Sequence, residues 1–238
     1  LGWKKERMST QRTVARWPIV MALVLVALLG PFLARSAIGG EPGAVSSVAP
    51  RGIVIVGDSI TARYNDKPGD QMQGWWSIVA RNYDARVTTY AQSGSGYLRP
   101  GRLCTGNRFI DRQRAFTTDP PSLLIVEGGR NDWAECEGGR FVTARDDAIE
   151  HAVDSYLRTL QTFLPRSTRV IVMGPPWGPS DRKNGQRITA IIEAAAARYD
   201  FEFIATTGAL TQDRVLDGVH PNRGGSVAIA NRVIHALG

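Results

Sequence analysis

Short apolar runs alternate with amphipathic stretches from Arg51 to the carboxyl terminus. Ile53-Val54-Ile55-Val56 is a run of β-branched residues bounded by glycines, the pattern of a strand buried on both faces. Similar runs predict further strands at 86–90, 122–127, 169–174 and 201–205. Between them Ile149, Val153, Tyr156, Leu157, Leu160 and Leu164 recur at three- and four-residue steps. Ile188, Ile191, Ile192, Ala195 and Tyr199 do the same, as do Val227, Ala230, Val233, Ile234 and Leu237. Each set predicts a helix with one apolar face, and Trp75 and Trp76 are expected on a further helix after the first strand. Strands alternating with helices imply a mainly parallel sheet covered on both faces. Residues 51–238 are enough for one such core, so a single domain is expected.

The amino-terminal segment has a different pattern. Residues 1–17 are polar and basic, Ile19 to Leu33 is apolar apart from Gly30-Pro31, and Arg35-Ser36-Ala37 follows. Residues 1–37 therefore read as a signal peptide or an uncleaved membrane anchor, with Met8 an alternative start to Leu1. Residues 38–50, rich in Gly, Pro, Ser and Ala, read as a flexible linker. An exported protein is expected, extracellular or in the cell envelope, with a membrane as partner if the segment stays uncleaved.

This division changes the meaning of the charge. Six of the 29 Lys and Arg and one of the 22 Asp and Glu lie in residues 1–36, leaving 23 basic against 21 acidic residues. The formal +7 thus belongs largely to the targeting segment, where positive charge sets membrane orientation. The remaining arginines form no basic stripe with interleaved aromatics, which argues against nucleic acid as a partner. The two cysteines, Cys104 and Cys136, are too few and too far apart for a zinc ribbon or a Cys-x-x-Cys pair. In an exported chain they suggest a disulfide worth on the order of 3 kcal/mol.

Candidate chemistry lies at the strand ends. Gly57-Asp58-Ser59-Ile60 follows the first strand, and Asp217-Gly218-Val219-His220 lies near the carboxyl terminus. A serine hydroxyl needs a neighbouring base, and that base needs a third group to fix its tautomer. His220 and Asp217 are suited to those two roles. The loop after the second strand, Ala91 to Tyr97, holds glycines that let backbone amides approach a substrate, and Asn131 after the third strand offers a side-chain amide. A Gly-x-Ser-x-Gly elbow is absent; in Gly224-Gly225-Ser226 the serine reads as a helix cap. Asp217 and His220 lack the further ligands a metal site requires.

Four blocks in order, Gly57-Asp58-Ser59-Ile60, Ser93-Gly94, Gly129-Arg130-Asn131-Asp132 and Asp217-x-x-His220, resemble the SGNH (GDSL-type) hydrolase superfamily over about residues 51–238. The resemblance implies a flavodoxin-like three-layer α/β/α sandwich with a mainly parallel five-stranded sheet. It also implies Ser59 as nucleophile, His220 as base with Asp217, and an oxyanion hole of the Ser59 amide, Gly94 and Asn131. Ile60 replaces the family's usual Leu without touching the chemistry, and Arg130 is bulkier than the residue expected there. Tyr97, Arg130, Trp133 and Trp177, with Arg99, Arg102 and Arg140, are expected on loops near the cleft, suited to a small-molecule or glycan ester. The function expected is an exported serine esterase for short acyl or acetyl esters, requiring no metal or organic cofactor. An acyltransferase using the same acyl-enzyme is the alternative, and a non-catalytic envelope-binding module a more distant one.

Overall fold

Glycine-bounded β-branched residues do form the first strand. The computed structural model describes residues 52–238 apart from 114, 115, 117, 118, 180 and 181 and the side chains of 182 and 183. The targeting segment and the linker expected over 1–50 lie outside the described residues. Strands β1 (Gly52–Gly57), β2 (Arg86–Ala91), β3 (Leu123–Glu127), β6 (Arg169–Met173) and β7 (Glu202–Ile204) form one parallel sheet in the order β2-β1-β3-β6-β7. Read as five parallel strands in chain order this is 2-1-3-4-5, the flavodoxin-like order, and all five expected strands are present within one or two residues.

The alternation of side chains along each strand builds two cores. Ile53 and Ile55 of β1, Leu123 and Ile125 of β3, and Ile171 and Met173 of β6 face one side. There they meet α2 (Trp75–Asn82) and α5 (Arg223–Leu237) through Trp75, Val79, Ile229 and Val233. Val56, Leu124, Val126, Val170 and Val172 face the other side, against α3 (Asp146–Phe163) and α4 (Arg182–Arg198) through Ile149, Val153, Leu157, Ile188 and Ile192. Leu123 to Val126 are at most 1% exposed, and each such side chain contributes roughly 1.5–3 kcal/mol of burial. β3 is thus the centre of the three layers.

The structure departs from expectation in three places. Strands β4 (Ala134–Glu137) and β5 (Arg140–Thr143) form a separate antiparallel hairpin. Its turn is Gly138-Gly139, with φ of 56° and 78°, the left-handed pair that a two-residue hairpin turn requires. Asn222, not Ser226, caps α5: its Oδ1 accepts the Gly225 N–H at 3.1 Å, while Ser226 is buried inside the first turn. The apolar face of α5 is also rotated from the expected stripe, since Val227 is exposed and Ile229 is buried. Among the described residues no helix is long and apolar enough to cross a membrane.

Candidate active site

Strand order reverses between β1 and β3, and at such a switch point the loops leaving the carboxyl ends open a crevice. Ser59 opens the single-turn helix α1 (Ser59–Ala62) directly after β1. Asp58 caps that turn, its Oδ1 accepting the Ile60 N–H at 2.8 Å. Four residues have no helical stability of their own, so tertiary bonds hold the turn. Thr61 Oγ1 donates to Glu127 Oε2 at 2.8 Å and accepts from Trp75 Nε1 at 3.2 Å. Trp76 Nε1 donates to the Thr61 carbonyl at 3.2 Å.

The Asp217–His220 loop reaches this turn from 161 residues away in sequence. Tyr64, just beyond α1, donates its hydroxyl proton to the Pro221 carbonyl at 2.7 Å and so fastens the loop. Asp217 Oδ1 accepts the N–H groups of Val219 at 3.1 Å and His220 at 2.8 Å, and its Oδ2 lies 2.8 Å from His220 Nδ1. A carboxylate only accepts, so Nδ1 carries the proton and Nε2 is the bare nitrogen. Ser59 Oγ lies 3.0 Å from Nε2 and donates to it. Desolvation pushes Asp217 up, but the His220 N–H, the imidazole and the Val219 N–H outweigh it and hold the carboxyl at about 2. Ser59, His220 and Asp217 are therefore brought into one hydrogen-bonded relay able to take a proton from a serine hydroxyl.

Gly94 and Asn131 face the same cleft as Ser59 and His220, a space of about 520 Å³. Gly94 has φ 78°, and a Cβ there would lie 2.9 Å from Arg102 N and Cγ, so only glycine fits without strain. Asp132 shapes the rest of that loop: its oxygens accept the N–H groups of Tyr97 at 2.9 Å, Leu98 at 3.1 Å and Arg99 at 3.0 Å. Arg112 clamps the loop from behind, donating to the carbonyls of Gly57 at 2.8 Å, Tyr90 at 2.9 Å and Asn107 at 2.9 Å, and to Ser95 Oγ. Asn131 Nδ2 donates to the Ser95 carbonyl at 2.9 Å and to Asp58 Oδ2 at 3.3 Å. The Cys104–Cys136 disulfide, with Cα atoms 5.6 Å apart, joins the segment after this loop to β4.

Three carboxyls lie fully buried under the site. Burial pushes Asp58 up to about 6 against the pull of the Ile60 N–H and Arg130. Burial likewise pushes Asp132 up to about 6, opposed by its three backbone N–H partners. Glu127 goes well above the usual carboxylate range, driven by burial and then by the neighbouring Asp58. Among the described residues no cluster of three or more His, Cys, Asp or Glu is arranged to hold a metal.

The expected substrate-contacting residues are largely displaced from the cleft. Tyr97 is 1% exposed and packs against Phe109 and Tyr156 at ring separations of 4.8 and 5.8 Å, because its backbone is drawn inward by Asp132. Arg130 is buried, its guanidinium 5.1 Å from the Trp177 ring. Trp177 is half-buried and bonds Thr189 Oγ1 at 3.2 Å. Trp133 is exposed on the short turn before β4 but does not line the cleft. Arg99 and Arg102 do line it, joined by Arg63, which sequence reasoning did not single out. Arg112 and Glu127 were also missed. A charge at the end of an otherwise apolar strand was the available signal for Glu127, whereas nothing in the polar stretch around Arg112 marked it.

A serine–imidazole–carboxylate relay at the switch point of a flavodoxin-like sheet defines the class: an SGNH hydrolase acting on ester bonds. The model of the GDSL-like lipase/acylhydrolase family matches residues 55–228, and the chain belongs to that family. Solved structures agree in fold. An acetylxylan esterase from Geobacillus stearothermophilus is 17% identical, with a TM-score of 0.59 over 79% of this chain and 94% of that one. A lipase/acylhydrolase from Enterococcus faecalis is 18% identical, with a TM-score of 0.57 over 79% and 95%. A carbohydrate esterase family 2 enzyme with a carbohydrate-binding domain, from Corynascus thermopiles (Myceliophthora fergusii), is 20% identical, with a TM-score of 0.58 over 79% and 65%. No curated protein matches by sequence.

Proposed function

We infer that the protein is an exported serine esterase that removes short acyl groups through an acyl-enzyme on Ser59. The observation carrying this reading is the relay itself, Ser59 Oγ to His220 Nε2 at 3.0 Å and His220 Nδ1 to Asp217 Oδ2 at 2.8 Å. His220 accepts the hydroxyl proton as Ser59 Oγ bonds to the ester carbonyl carbon, and Asp217 stabilises the resulting imidazolium. The negative oxygen is met by the N–H groups of Ser59 and Gly94 and by Asn131 Nδ2, which exchanges its longer 3.3 Å bond to Asp58 for this new acceptor. The imidazolium then protonates the departing alcohol as the carbon–oxygen bond breaks. Water, deprotonated by His220, repeats the sequence and frees the carboxylic acid and Ser59.

A half-open cleft of about 520 Å³ suits a short acyl group on a larger alcohol, and the acetylxylan esterase among the structural neighbours is consistent with that choice. Export is supported by the disulfide, which persists in oxidising compartments. Ser59 is expected to be labelled by a fluorophosphonate probe, and short-chain p-nitrophenyl esters to be hydrolysed. Both activities are expected to vanish in Ser59→Ala, and hydrolysis in His220→Ala. Undiminished turnover in either variant would sink the mechanism.

A further inference from the structure

The charge lining the cleft is one-sided. Arg63, Arg99 and Arg102 face the space beside Ser59, His220 and Asn131. Elsewhere on the surface Arg108, Arg145, Arg158, Arg169, Arg187 and Arg198 each meet a carboxylate within 4.0 Å. In the cleft Arg63 meets only Asp217, at 4.0 Å, and Arg99 and Arg102 meet no carboxylate within that distance among the described residues. Among the described residues, the Arg102 side chain has neither a hydrogen bond nor an ion pair. The Arg99 guanidinium bonds only the Gly101 carbonyl, through Nε at 3.3 Å, and lies 3.6 Å over the Phe141 ring. Stacking fixes its plane and leaves both Nη groups as donors. Burial lowers Arg99 from its ordinary value, with Asp132 opposing, as expected of a cation short of a partner.

Arg63 is placed differently. Its Nη1 lies 3.1 Å from His220 Nδ1 and 3.4 Å from Nε2, although Asp217 and Ser59 occupy the in-plane positions of those nitrogens. It therefore rests against the imidazole, 4.0 Å from Asp217 Oδ2, with its side chain about half exposed. Asp217, the carboxylate beside Arg63, is already committed to the His220 ring and two backbone N–H groups, and Asp132, the carboxylate that acts on Arg99, is committed to three backbone N–H groups.

We propose that the substrate is an anionic ester, one carrying a carboxylate or phosphate beside the scissile bond, held by Arg99 and Arg102 with Arg63 closing the positive rim. The proposal rests on the esterase reading above and adds its substrate class. A guanidinium offers paired donors that match the oxygens of either anion. In a cleft whose walls exclude part of the solvent, one charge-assisted contact gives roughly a 10- to 100-fold preference over a neutral isostere.

The test uses esters that share the acetyl group and differ in charge: 4-acetoxybenzoate, the neutral 4-acetoxybenzamide and 4-acetoxyphenyl phosphate. The expected result is a kcat/KM roughly 10- to 100-fold higher on the anionic esters than on the amide, shrinking as salt screens the cleft. Benzoate and phosphate taken together establish the anion preference, and whichever is faster identifies the kind of anion. Arg99→Gln and Arg102→Gln are expected to bring the ratio toward one, and Arg102→Glu to bring it below one. The ratio is read within each variant, so a smaller folded fraction cancels. Equal kcat/KM on charged and neutral esters, with the neutral ester turned over and Ser59 labelled, overturns the anionic substrate class and leaves the esterase reading standing. Absence of turnover on all three esters with Ser59 unlabelled overturns both.

Discussion

Asp132 holds the loop that carries Gly94, yet its charge opposes folding, and Asp132→Asn separates those two effects. Burial moves the carboxyl from its ordinary 3.8 to about 6 even though three backbone N–H groups point at it. A raised carboxyl contributes stability through its neutral form. That stability is fully present below the unfolded value of 3.8 and is lost as pH rises through about 6. The shift of about two units corresponds to on the order of 3 kcal/mol. Asparagine has the shape of the neutral acid and never ionises. Its carbonyl oxygen keeps the Leu98 and Arg99 N–H groups, but its amide nitrogen only donates, so the bond from Tyr97 N–H is lost. The variant is thus expected to fall below the wild type by roughly 1–3 kcal/mol near about pH 4, where the Tyr97 bond is missing, and to regain up to ~3 kcal/mol relative to it by about pH 8, measured by urea melts across that range. Asp58 and Glu127 titrate in both proteins, and the relief of Asp58 from the Asp132 charge adds in the same direction. Ester turnover is expected to fall in the same variant, because the ionised carboxylate holds the loop through stronger bonds than an amide can. Stability curves that run parallel from pH 4 to 8 would refute the buried-charge reasoning.

Three further perturbations test the supports around the cleft. Gly94→Ala places a Cβ 2.9 Å from Arg102 at φ 78°, and is expected to lose roughly 1–3 kcal/mol in denaturant melts and to depress kcat. Arg112→Lys retains the charge but not the fork that reaches Gly57, Tyr90, Asn107 and Ser95, so kcat is expected to fall more than KM rises, with wild-type kcat rejecting the clamp. Reducing the Cys104–Cys136 bridge, which spans 32 residues, is expected to lower stability by about 3 kcal/mol; an unchanged Tm in reductant would show that the bridge contributes nothing.

Legibility in the sequence followed locality. β1 and β3 were readable because both of their faces are buried, which leaves continuous apolar runs, and Ser59 and Asn131 were readable as residues at their ends. The β4–β5 hairpin was not, since its strands are four residues long and β5 is exposed throughout, so only Gly138-Gly139 marked it. The aromatic loop residues were misplaced for a related reason. Tyr97 sits three residues from the cleft-lining Gly94 in sequence, but Asp132 turns its backbone so that the ring enters the core. Whether an arginine faces a cleft, as Arg63 does, or a ring, as Arg130 does, depends on contacts between distant segments that no local pattern encodes.

Single-turn α1 is helical only because Thr61 is tied to Glu127, Trp75 and Trp76. These ties come from β3 and α2, so Ser59 is aligned by the centre of the domain and not by its rim. Moving Ser59 out of place therefore requires loosening the core beneath it. The rim, by contrast, is free to diverge. Arg99, Arg102 and the hairpin can be exchanged to suit another ester while the relay beneath keeps its geometry.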